Sequence, residues 1–116
     1  MTDVVSLERF KELVQDAINA VPEPFAASLA EIVVTIEEAA SPIDYPGGLF
    51  GLYIGGPVGE RYPIAPPRQI IIFRFPMVAV FRRDEELKDQ IRVTLLHELG
   101  HYYGMDHHDL DRLGYL

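Results

Sequence analysis

Apolar residues recur at helical spacing near the start of the chain. Leu7, Phe10, Leu13, Val14, Ala17, Ile18 and Val21 form one stripe. Steps of three, four and seven place such residues on one face of a helix, so a helix is predicted over 7–21. Ser6 is placed to cap it, with Val5 stapled on Phe10. Pro22 and Pro24 stop it, and 25–30 is expected to add one more helical turn. The period then changes. Residues 32–37 are rich in β-branched side chains and read as a strand. Residues 41–48 hold two Pro and two Gly and read as a loop. A second strand is predicted over 49–54.

Residues 55–67 carry three Gly and four Pro and are expected to be irregular. A loop this long in a small domain is often functional, though a plain surface connection explains it equally well. Gln69–Phe75 is the clearest strand, ended by Pro76. Residues 77–81 suit a short helix or a continuation of that strand. Asp84 is the expected cap of a long helix running through Tyr103, with Glu85 and Glu86 in its first turn, where the helix dipole favours acids. Leu87, Ile91, Leu95 and Leu99 step along one face of it by fours. Gly104 ends the helix, and 109–116 has room for one more turn before Gly114.

Helix, three strands, then a long helix describe an α+β fold: a small sheet of three to four strands packed on an N-terminal helix and a long second one. At 116 residues the chain suits a single domain, 1–116, with one core. No internal repeat, low-complexity tract or linker interrupts it.

Charge and cysteine content narrow the chemistry. Eighteen acids against ten bases give a net charge of −8. That disfavours nucleic acid, which needs a basic footprint. The chain has no Cys, so any metal would be held by imidazole and carboxylate, a set that suits zinc. No apolar run is long enough to cross a bilayer. Residues 1–10 hold acids and no continuous apolar core, so no secretory leader is predicted and a cytoplasmic address is expected.

The chemistry concentrates at 97–107, which read HELGHYYGMDH. On a helix, His97 and His101 lie one turn apart with Cβ atoms about 5–6 Å from each other, close enough for two imidazoles to grip one ion. Glu98 lies one step round, within reach of a water on that ion. Gly104 can turn the chain back so that His107 supplies a third ligand. Two His, a third ligand and an open position describe a catalytic zinc site rather than a structural one. H-E-x-x-H alone is a moderate signal; the Gly and third His strengthen it. The plain alternative is a set of ordinary helix-surface His and Glu residues. The third ligand is less secure, because Asp106, His108 and Asp109 crowd His107. Each ligand ring needs an acceptor for its second N–H; Asp106, Asp109 and Asp111 are candidates, against the alternative that at least two of them are simply solvated acids. Both imidazoles must be neutral to bind, so metal should leave as the pH falls toward the His range. Zinc would activate a water and polarise a carbonyl oxygen, while Glu98 takes the water's proton and passes it to the leaving amine.

His97 to Asp106 resembles the signature of the small bacterial zincin-like metallopeptidases, with the pattern H-E-x-x-H-x-x-G-x-x-D/H/E. Residues 67–74, 84–96 and 109–115 are similar to that family as well. The resemblance implies a zincin-like fold and a metallopeptidase acting on peptides or proteins. It also implies a variable third-ligand position, taken here by His107. Metzincins place a Met-turn beneath the zinc, but no Met follows His107. Tyr115 is therefore the candidate support for the site, against the alternative of a frayed terminal residue. Tyr102 and Tyr103 are expected to be core and rim residues. In zincins an edge strand beside the active-site helix pairs with extended substrate; by that resemblance Gln69–Phe75 is a candidate platform, although the sequence does not show which strand is the edge. The domain lacks the second half that deepens the cleft of larger proteases, so a partner chain, including a second copy in a homodimer, could complete it. The competing reading is a zincin-like domain that has lost hydrolysis and serves as a protein-binding module. Intact His97, Glu98 and His101 argue for the enzyme.

Overall fold

The computed structural model describes the backbone of residues 5–55 and 67–113, and every side chain in those spans except His107 and Leu113. Helix α1 spans Leu7–Asn19, α2 Phe25–Leu29, α3 Arg74–Val80, α4 Asp84–Tyr102 and α5 His107–Leu113; strands β1, β2 and β3 span Val33–Glu37, Gly51–Ile54 and Gln69–Phe73. The expected α+β architecture is present, with a sheet of three strands among the described residues.

The strand order is β1-β3-β2. β1 runs parallel to β3, with Val33 opposite Gln69 and Glu37 opposite Phe73. β2 runs antiparallel to β3, with Gly51 opposite Ile72 and Ile54 opposite Gln69. The unbroken apolar run of β3 follows from this central place. Ile70, Ile71, Ile72 and Phe73 are all buried, as expected of a strand covered on both faces. The central place also removes the expected role of Gln69–Phe75 as an edge platform, because both edges of β3 are occupied by other strands.

α4 is the axis of the domain. Leu87, Ile91, Leu95 and Leu99 are essentially inaccessible and join one core with Phe10, Leu13 and Val14 of α1 and with Ile70 and Ile72 of β3. Burying such a side chain contributes about 1.5–3 kcal/mol, so this stripe fixes where α4 lies. α1 packs along α4, and α4 rests on β2 and β3.

Several boundaries differ from expectation for local reasons. Ser6 caps α1 as expected, accepting from the Arg9 N–H at 3.1 Å, but α1 stops at Asn19, ahead of Pro22. β3 ends at Phe73, and Arg74 and Phe75 already belong to α3. Pro76 thus sits in a first helical turn, where its missing N–H costs nothing. Arg83, not Asp84, is the N-cap residue of α4. Asp84 is helical and its carboxylate receives Arg9 of α1 at 2.8–2.9 Å, so it ties two helices together instead of capping one. The stretch expected to be irregular falls mostly at 56–66, outside the described residues.

Candidate metal centre

His97, Glu98 and His101 occupy the last two turns of α4. Their positions follow from the core stripe: with Leu95 and Leu99 turned into the core, 97, 98 and 101 turn toward the flank that meets β2. The Nε2 atoms of His97 and His101 lie 3.2 Å apart, and the two rings meet nearly at right angles with centroids 4.9 Å apart. Glu98 Oε2 lies 3.7 Å from His97 Nε2. One donor atom from each of the three residues falls within 4.8 Å of the others, close enough to hold one metal ion.

The end of α4 orients His101. Tyr103 is the C-cap residue, and Gly104 has φ +81°. The Gly104 N–H donates to His101 O and the Met105 N–H to Gly100 O, each at 2.9 Å. This pair of bonds is the Schellman motif, which needs the left-handed residue that Gly supplies. The reversal brings the Met105 carbonyl to 3.2 Å from His101 Nδ1. A carbonyl only accepts, so Nδ1 carries the proton and Nε2 presents its lone pair toward His97. Tyr103 also donates its hydroxyl to Ser28 Oγ, fastening this end of α4 to α2.

Burial of Glu98 depends on β2. Its residue is 7% exposed, and the backbone of Gly51 passes directly over it. A Cβ at Gly51 would stand 2.5 Å from Thr94 Cγ2, 3.3 Å from Ile71 O and 3.4 Å from Glu98 Cγ. Only a glycine lets the strand approach this closely, so the stem of the Glu98 side chain is covered by backbone. On the far flank of α4, Leu110 of α5 fills the space that a Cβ on Gly100 would need, which seats α5 against the helix.

Of the downstream acids, Asp106 and Asp109 bond to each other. Asp106 Oδ1 accepts from the Asp109 N–H at 2.9 Å, and Asp109 Oδ2 accepts from the Asp106 N–H at 3.3 Å. This reciprocal pair is a capping box for α5. The Asp109 N–H holds the Asp106 carboxyl below the usual carboxylate range. Asp111 is exposed. The second N–H of His101 goes to the Met105 carbonyl instead.

Tyr102 is buried and Tyr103 half-buried, the core and rim places expected of them. His107 begins α5, but its side chain lies outside the described residues, as does the whole of Tyr115. Three contributors were not found by sequence reasoning: Gly51, Thr94 and the Met105 carbonyl. A glycine interrupting a strand marks close backbone approach, and the residue after a helix-ending glycine is where a Schellman turn folds back; both signals were present.

Among the described residues no helix is long and apolar enough to cross a membrane. No curated protein sequence matches the chain. The family model described as zincin-like metallopeptidase matches residues 29–115. That span runs from the end of α2 through α5 and takes in the sheet, α4 and the His97–Glu98–His101 group, and the chain belongs to the zincin-like metallopeptidase family.

Proposed function

We propose that the protein is a zinc-dependent peptidase in which His97, His101 and His107 hold the metal and Glu98 is the general base. The observation that carries this reading is the 3.2 Å approach of the His97 and His101 Nε2 atoms beside a buried carboxylate. Two nitrogens about 2.0–2.1 Å from one tetrahedral zinc lie about 3.3–3.4 Å apart, so the pair needs little adjustment. The absence of Cys leaves imidazole and carboxylate as donors, which agrees with zinc. His107 is our candidate for the third ligand, a reading supported by its place at the start of α5, just after the Gly104 reversal.

When bound, zinc supplies Lewis acidity, activating a water and polarising the scissile carbonyl. Glu98 takes the water's proton on its carboxylate and delivers it to the leaving amine. Glu98 is buried beneath the closely approaching Gly51 strand, and burial strengthens the interactions of a carboxylate with reacting groups. β2 is an edge strand among the described residues and lies directly over α4 at Gly51. It is the strand on which an extended peptide would pair by backbone hydrogen bonds, in place of the central β3.

The test is metal analysis of purified protein together with hydrolysis of a peptide library by wild type and Glu98→Gln. The expected result is about one zinc per chain, as for a single catalytic site, with cleavage by wild type and none by Glu98→Gln. Equal cleavage by the two proteins would remove Glu98 as the base. Zinc uptake with peptide binding but no cleavage would mark a binding module.

A further inference from the structure

A cavity of about 400 Å³ lies on the other side of α4 from the metal group. Arg92, Leu96, Leu99, Gly100 and Tyr103 line it from α4 and its C-cap. At 3.6 residues per turn these positions share one flank of the helix, and His97, Glu98 and His101 share the opposite one. We propose that the cavity is a second ligand site, which takes a small monocarboxylic acid with an apolar tail. The proposal stands apart from the peptidase reading, because no residue of the metal group lines the cavity.

The walls select the tail. Sites for small ligands run to about 300–1,000 Å³, are mostly apolar and are largely pre-formed. Val21, Leu99 and Leu110 supply the buried part of this one. Leu110 is fixed by filling the space beside Gly100. The Tyr103 ring is held twice: its hydroxyl donates to Ser28 Oγ, and its face meets the edge of the Phe25 ring with centroids 6.1 Å apart. None of these contacts needs a ligand, so little ordering accompanies binding. An apolar lining offers water few partners, and an apolar tail gains by displacing such water.

The mouth selects the head group. Arg92 is the only charged residue among those lining the cavity, and its side chain is 44% exposed, which places it at the rim. Its Nη2 donates to Asp89 Oδ1 at 2.9 Å. Both members of that pair are exposed, and such pairs contribute little. A guanidinium carries five N–H donors in one plane, so it can receive a carboxylate beside Asp89 or in its place. An ammonium head would be repelled. An alcohol offers one neutral oxygen where a carboxylate offers two charged ones.

The test is calorimetry of octanoate, octanol, octylamine and acetate on the full-length protein. Octanoate should bind saturably at a single site, roughly fivefold or more tighter than octanol, because charge-assisted bonds are about twice as strong as neutral ones. Octylamine and acetate should show no binding. Arg92→Gln should erase the preference for octanoate and leave octanol affinity unchanged. Asp89→Asn, which frees the guanidinium, should tighten octanoate. Both substitutions are on the surface and leave folding intact. Ala20 is exposed where it lines the cavity, so Ala20→Trp should block both octanoate and octanol with the circular dichroism spectrum unchanged. No octanoate binding, equal affinity for octanoate and octanol, or binding that survives Ala20→Trp would overturn the proposal. So would tighter binding of a short peptide ending in a free leucyl carboxylate, which would make the cavity a docking place for a chain end.

Discussion

His101 and Met105 are joined across the end of α4: the ring Nδ1 of one lies 3.2 Å from the backbone carbonyl of the other. The bond exists because Gly104 adopts φ +81° and folds the chain back by one turn. It selects the tautomer of His101, leaving Nε2 as an acceptor aimed at His97. A metal ion held between the two rings would be bound through that same Nε2 atom. One backbone torsion therefore sets the chemical state of an imidazole three residues earlier.

Gly104→Ala tests that link. A side chain in the left-handed region costs roughly 1–2 kcal/mol, and relaxing the strain moves the Met105 carbonyl away from His101. Loss of such an outer partner typically weakens metal binding about 10–100-fold. We expect both effects, read by thermal unfolding and by zinc competition titration. A lowered Tm with zinc affinity intact would show that the turn is structural only.

Gly51→Ala probes the roof over Glu98. Its Cβ would collide with the Thr94 methyl at 2.5 Å, and overpacking of this kind costs about 1–3 kcal/mol. Thr94→Ser removes that methyl while keeping the hydroxyl that accepts from Gln90. The double variant should recover much of the stability lost by Gly51→Ala in denaturant titrations. If the two effects simply add, the strand does not approach the helix as closely as described.

The parts legible from sequence were those with strong periodicity. The stripes of α1 and α4 and the β-branched runs of β1 and β3 specify their own partners, because apolar faces at fixed spacing must be buried. H-E-x-x-H placed its three side chains together for the same reason: spacing on a helix is geometry. Strand order was not legible. β3 reads as the best strand because it is buried on both faces, and that property puts it in the centre, where it cannot take up a substrate strand. The edge strand nearest the site, β2, is short and begins at Gly51, whose close approach to Thr94 and Glu98 belongs to tertiary packing. Asp84, expected to cap a helix, and Asp106, a candidate acceptor for a ligand ring, each took another partner. Asp84 met Arg9 of another helix, while Asp106 met the N–H of Asp109.

Metal should stabilise the fold measurably. A ligand at a hundred times its dissociation constant adds about 2.7 kcal/mol, worth roughly 10 °C in Tm for a chain of this size. Zinc should therefore raise Tm by that order, and a chelator should reverse it. His97→Ala and His101→Ala should abolish the shift, whereas Glu98→Gln should retain it. A shift that survives loss of either histidine would place the ion elsewhere.

The third ligand can be separated from its neighbours by treating cap and metal independently. Asp106 closes the first turn of α5 through the Asp109 N–H, a function that Asn performs nearly as well as Asp and Ala does not. Asp106→Ala should therefore lower stability, while Asp106→Asn should be close to neutral. If His107 is the ligand, Asp106→Asn also leaves zinc affinity unchanged, since only the cap matters. His107→Ala should then weaken zinc by well over tenfold with little change in the stability of the metal-free protein, and His108→Ala should do neither. The reverse pattern, with Asp106→Asn releasing zinc and His107→Ala retaining it, would assign the ligand to the carboxylate and require the capping box to open when metal binds.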